Sequence, residues 1–188
     1  CDRDLRQAMC LENVSNFASQ NFRNFDLAEI DLAVLISSSG FIVVPIEMAE
    51  IFQSKGIKTV ALISKKHSEA STSKTSDGKK LQDFCDLVLD SGAHVGDAMV
   101  KIENLETPVA PDYKIGSCLL ITSIKAEVAN LLTQAGHPPK VLTAGAVIGA
   151  EKATEIFQAA YDEHGHRIAK MYQQNGIPSY VSVQNSSK

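Results

Sequence analysis

Ser37-Ser38-Ser39-Gly40 is the stretch of this sequence whose residue types and spacing point most directly to chemistry. It follows the apolar run 31–36 and precedes an amphipathic segment, 45–52, whose apolar side is Ile46, Met48, Ala49, Ile51 and Phe52. A strand that passes into a helix through such a turn gathers backbone N–H groups at one point. The helix dipole adds roughly half a positive charge there. Hydroxyls donate to phosphate oxygens, and Gly40 lets a backbone approach closely. Neutral donors grip a phosphate while leaving it exchangeable. The competing reading is that one serine merely caps the helix.

A second polar stretch, 65–78, is rich in Ser and Thr and follows Ser64. Ser73, Thr75 and Ser76 either cap the next helix or reach the same anion. Lys65, Lys66, Lys74, Lys79 and Lys80 add positive charge. The alternative is a solvated surface loop. The stretch lacks the G-x-x-x-x-G-K-[ST] spacing of a Walker A site.

Other groups could carry protons. His67 lies in the serine-rich loop. Glu151 opens the last helix, where a carboxylate also favours the dipole. Glu47 sits in the first turn of the helix after Gly40, with the same two readings. Asp97, after Gly96, reads as an Asx-turn. His164 and His166 are two residues apart, so on a helix they face different ways and make no compact metal site. No glycine-rich dinucleotide fingerprint occurs, and no cofactor or metal is expected.

These groups need elements to position them. Apolar positions over 5–24 predict one or two helices. Buried strands are read at 31–36, 58–64 and 86–90, with a fourth candidate at 140–144. Pro45 suits a first helical turn, and Gly56 a helix stop. A short helix precedes the third strand, and residues 96–112 are read as irregular, with an edge strand at 99–103. Long helices are predicted over 115–135 and 150–174. Alternating strands and helices argue for a parallel, doubly wound sheet with helices on both faces. Ligands of such sheets bind outside the carboxyl ends of the strands, which selects the loops 37–40 and 64–78.

The 188 residues suffice for one ordinary domain, here read as 1–175 followed by a mobile tail, 176–188. Hydrophobic residues at 44% and charged residues at 21% fit a soluble globular chain. A net charge of -4 without a basic stripe argues against nucleic acid as the main partner. No apolar run is expected to approach the roughly 20 residues of a bilayer span. The start is too charged for a secretory signal. Cys1, Cys10, Cys85 and Cys118 match no zinc or Cys-x-x-Cys pattern, and Cys85 and Cys118 read as small buried hydrophobes. Reduced thiols and a cytoplasmic setting are expected.

Taken in order, ISSSG with PIEMA (36–49), VALIS with HS (60–68), TSDGKKL (75–81), CDLVLD (85–90), GDAMVKIENL (96–105) and Ile115-Gly116 resemble the sugar isomerase (SIS) domain superfamily. The nearest likeness is to a bacterial subfamily of SIS-domain proteins described only as phosphosugar-binding or sugar isomerase domain proteins. The resemblance covers about residues 12–150. It implies a doubly wound α/β domain that binds a phosphosugar through Ser37, Ser38 and Ser39, with Ser64 and the Ser73 to Ser76 region as a second wall. It also implies a homodimer or homotetramer, and it admits aldose–ketose isomerisation with Glu151 or His67 as base. The rival reading is a sugar-sensing module without activity. Relatives of this type carry an earlier strand ending in a Gly-x-Gly-x-Ser-type turn, so one pocket wall is expected to be missing here. Phe41 and Ile42 stand where polar residues are usual, and Asp112-Tyr113-Lys114 replaces a Thr-Ser-Thr. Of a polar cluster near the last strand only Glu151 remains.

Overall fold

The computed structural model describes residues 2–23 and 25–174. The segment 176–188, expected as a tail, lies outside the described residues. The chain forms two compact units, one ending at Ala126 and the other beginning at Glu127.

The first unit is a mixed α/β structure around a three-stranded parallel sheet of order β1-β2-β3. Its elements are α1 (Asp2–Leu11), α2 (Phe17–Phe22), β1 (Leu32–Ile36), α3 (Val43–Ser54), β2 (Lys58–Ile63), α4 (Lys65–Ala70), a 3-10 turn (Leu81–Phe84), β3 (Leu87–Asp90) and the first part of α5 (Tyr113–Gln134). The register pairs Ile36 with Leu62 and Ile63 with Asp90. All three strands therefore end along one edge of the sheet.

Residues at alternate strand positions share one face. Leu35, Ala61 and Ile63 meet Ile46 and Ala49 of α3 and Leu81 and Phe84 of the 3-10 turn, forming the core. Helix α3 begins at Val43, two residues before Pro45, so the proline occupies the first turn, where its missing N–H is tolerated. The helix ends in a Schellman turn. Gly56, at φ +71°, donates to the Gln53 carbonyl, and Ile57 donates to that of Phe52. Phe22 of α2 meets Phe52 edge-on at 4.8 Å.

The other face is only partly covered. Leu62 is buried, but Leu32 is 63% exposed and Val34, Ile36 and Leu87 are also exposed. In β1 the run expected to be covered on both faces alternates between buried and exposed. As an edge strand it meets α3 on one side alone.

Several local expectations change. Residues 140–144 form no strand; Val141 and Leu142 are exposed. An apolar run becomes a strand only when a neighbour accepts its backbone hydrogen bonds. The segment 99–103 contributes a single antiparallel bridge, Val100 to Val109. The polar stretch after Ser64 begins with the helix α4. Cys118 is exposed on α5 rather than buried, whereas Cys85 is half-buried, which raises its thiol pKa. Helix α5 is long enough and apolar enough to cross a bilayer by length and composition alone. Lys125 and Glu127 interrupt its apolar run without making the whole helix polar.

The second unit holds the rest of α5, α6 (Gly145–Ile148) and α7 (Ala150–Gln174). Lys140 reaches Glu163 at 2.6 Å, and Arg167 pairs with the same carboxylate. Phe157 stacks on Tyr161 at 4.3 Å.

At the amino end of β2, Asp86 accepts from Lys58 Nζ at 2.9 Å, Thr59 N at 2.8 Å and Thr59 Oγ1 at 3.1 Å. The Lys58 bond, then the Thr59 amide, lowers its pKa to about 2 from an ordinary 3.8. A depressed folded-state pKa contributes stability above the unfolded value and loses it as pH falls through the folded one. Urea midpoints of the parent chain should thus fall between pH 3.8 and about 2. Asp86→Asn should flatten that part of the profile.

Candidate functional site

The carboxyl ends of the strands meet at Ser64. This residue is fully buried. Its N–H donates to the Ser38 carbonyl at 2.9 Å, and its hydroxyl donates to the Ala93 carbonyl at 2.6 Å. The same hydroxyl accepts the His67 N–H at 3.2 Å and so caps α4. The amide and the hydroxyl of this one residue thereby join the loops that follow β1, β2 and β3.

The three serines differ. Ser37 continues the ladder by donating to the Leu62 carbonyl, and its hydroxyl accepts the Gly40 N–H at 3.1 Å. It shapes the turn. Ser38 Oγ lies 3.3 Å from His67 Nδ1. Ser39 is 4% exposed, yet its hydroxyl makes no hydrogen bond among the described residues. The backbone N–H groups of Ser38 and Ser39 likewise meet no acceptor there. These two amides and the Ser39 hydroxyl are donors with no partner among the described residues.

Gly40 has a different part from the expected one. At φ +66° it supplies a left-handed turn, and a Cβ there would lie 3.4 Å from Ile63 and 3.5 Å from Leu81. Its bare α-carbon faces packed side chains rather than a ligand. The helix dipole is also set back, because Phe41 and Ile42 separate Gly40 from α3, and Val44 N–H is taken by the Glu12 carbonyl.

The second serine loop is latched to this corner through backbone. Leu81 N–H donates to the Gly40 carbonyl at 2.8 Å and Lys74 N–H to that of Phe41 at 3.3 Å. Its hydroxyls are turned inward: Ser73 and Thr75 both donate to the Lys79 carbonyl. Ser76 is exposed and lines a cavity of about 440 Å³ with Glu47, Glu50 and Lys74 on the flank of α3. Lys74 is held by Asn13 and by the Phe41 ring, and Lys80 by the Ser68 carbonyl. Glu47 accepts the Asn16 N–H at 2.8 Å, which supports the left-handed Asn16 ahead of α2. Its other oxygen is buried and unpaired.

His67 is thus brought to the serines. Glu151 belongs to the second unit, exposed in the first turn of α7. Asp97, expected as an Asx-turn, instead accepts the N–H groups of Asp112 at 2.9 Å and Tyr113 at 2.8 Å and caps α5. That cap displays a pair absent from the sequence reading. His94 Nδ1 lies 2.6 Å from Asp112 Oδ2, and the same carboxylate accepts the His94 N–H at 3.1 Å. The His94 bond holds the Asp112 carboxyl below the usual carboxylate range. The carboxyl-end rule, applied to the third strand as well, would have drawn attention to 91–94.

A UPF0309 protein of Halalkalibacterium halodurans is 36% identical over 141 residues, 75% of this chain and 58% of its own length. Those of Listeria innocua and Streptomyces coelicolor are each 32% identical over 158 residues, 84% of this chain. The chain is homologous to the UPF0309 proteins. It spans 63% and 62% of those two relatives. Their names state no activity. No protein-family model matches the sequence.

Two substitutions test the frame. Ser64→Ala removes a cap and leaves the Ala93 carbonyl unpaired, and should lower unfolding free energy by about 1–2 kcal/mol in chemical denaturation. Gly40→Ala should cost about 1–2 kcal/mol from its left-handed backbone. A variant as stable as the parent would remove that residue from the frame.

Proposed function

We propose that this chain is a phosphosugar-binding domain of SIS type. The single observation behind this reading is the set of unspent donors at the serine corner: the Ser38 and Ser39 amides and the Ser39 hydroxyl. A phosphate ester supplies acceptors for all three. Donors fixed by buried hydrogen bonds need no reordering when the anion arrives, which lowers the entropic cost of binding. The corner lies at the carboxyl ends of β1 and β2, where open parallel sheets bind ligands. His67 beside Ser38 adds a group that exchanges a proton or contacts a sugar hydroxyl.

In this reading the three-stranded sheet is part of a doubly wound arrangement with helices on both faces. The exposed residues of β1 and α5 then meet the further layer or a neighbouring copy in a homodimer or homotetramer. Ser37 and Ser64 act as supports, while Ser38 and Ser39 touch the ligand. Ser73 and Ser76 are more remote second-wall candidates, since Ser73 is spent on Lys79 and Ser76 opens toward Glu47.

Calorimetric titration with hexose and pentose phosphates tests the proposal. Ser39→Ala should weaken binding by about tenfold, the worth of one charge-assisted hydrogen bond, with unchanged thermal unfolding of the free protein. Equal affinity in parent and variant would rule out the assigned corner.

A further inference from the structure

We infer that the first unit carries a second ligand site, a groove between the end of β1 and α5 that takes an aliphatic carboxylate. This site is independent of phosphosugar binding.

The groove encloses about 440 Å³, within the usual range for small-molecule sites. Ile36, the last residue of β1, is its one lining residue from the sheet. The rest come from successive turns of α5, among them Tyr113, Ser117, Cys118 and Ile121. Residues four apart share one side of a helix, so these form a continuous wall. Ser37, Ser38 and Ser39 do not line it. Every lining residue lies in the first unit.

The start of α5 is fixed. Asp97 caps it, and a Cβ on Gly116 would run into the Ser91 carbonyl oxygen of the loop after β3. The groove is therefore formed before a ligand arrives, and little ordering opposes binding.

Charge selects the ligand. Lys114 and Lys125 belong to the lining, and no carboxylate does. They stand eleven residues apart, about 16 Å along the helix. Neither makes an ion pair among the described residues. The acidic groups near them in sequence are engaged elsewhere, Asp112 with His94 and Glu127 with Asn130. Ser117 is buried, and its hydroxyl has no hydrogen-bond partner among the described residues. Rotation about χ1 offers that hydroxyl to a carboxylate oxygen. A carboxylate with an aliphatic chain thus meets a cation at one end and the apolar surface of Ile36 and Ile121 along its length.

A second copy of the chain fits this groove less well. An isologous contact sets a patch against itself. It would bring two lysines from each copy, and no carboxylate, into one apolar interface, where unpaired charge is costly. Leu32 and Val34 of β1 and Ile115 and Leu119 of α5 lie outside the lining and stay available to other contacts.

The test titrates the parent chain with sodium decanoate below its micelle concentration. Binding is read by calorimetry and by iodoacetamide labelling of individual cysteines, resolved by mass spectrometry. Cys118 lines the groove, and exposed Cys10 on α1 serves as control. At about ten times its dissociation constant, decanoate should slow Cys118 alkylation by about tenfold and leave Cys10 unchanged. Octanoate should bind more weakly, by up to about fourfold for each methylene lost. The double variant Lys114→Gln/Lys125→Gln should weaken decanoate by about fivefold without changing the affinity for decanol. Ser39→Ala should bind decanoate as the parent does. Unprotected Cys118, equal affinity for decanoate and decanol, a double variant that binds like the parent, or loss of binding in Ser39→Ala each overturns the inference. Protection of Cys118 that rises with protein concentration in the absence of decanoate, with a dimer mass by light scattering, gives the groove to a second copy and also overturns it.

Discussion

A single buried serine organises this protein's candidate site. Ser64 has no exposed surface; its amide binds the loop after β1, and its hydroxyl binds the loop after β3 to the start of α4. Parallel strands deliver three chain segments to one edge, but nothing in strand pairing fixes the loops relative to one another. A side chain with both a donor and an acceptor can. Because its partners are backbone groups, their positions do not depend on side-chain rotamers. The serine corner inherits that rigidity, and so does Ala93 next to His94.

Rigidity at the corner has a counterpart on the sheet. One face of β1–β3 is packed by α3 and the 3-10 turn around Ile46, Ala49, Leu81 and Phe84. The opposite face leaves Leu32, Val34, Ile36 and Leu87 in contact with solvent, and α5 shows Ile115 and Leu119. A sheet edge with apolar side chains and unpaired backbone groups is a feature that proteins ordinarily cover. The same strand that carries the serine corner therefore also carries exposed apolar surface.

The polar loop after α4 shows how composition misleads. Its hydroxyls and lysines suggest a second set of anion contacts. Most are consumed locally, Ser73 and Thr75 on the Lys79 carbonyl, Lys74 on Asn13, Lys80 on Ser68. A tight loop must satisfy its own carbonyls, and short polar side chains are the nearest donors. By contrast, the Ser39 hydroxyl makes no hydrogen bond among the described residues.

The sequence by itself determined the three parallel strands, the helix after the serines with its Gly56 stop, the two long helices and the turn at 37–40 between the first strand and its helix. These follow from local periodicity and from turn residues, which act over a few positions. It misassigned 140–144, because strand formation depends on a neighbour that no local pattern reveals. Tertiary structure alone decided which serine is support and which is donor, since Ser37 and Ser39 are chemically identical and differ only in what lies within reach. It alone joined His94 to Asp112, eighteen residues apart, through a cap supplied by Asp97. Pairings of that kind are set by the closing of a loop onto a helix end, and loop closure leaves no periodic trace in the chain.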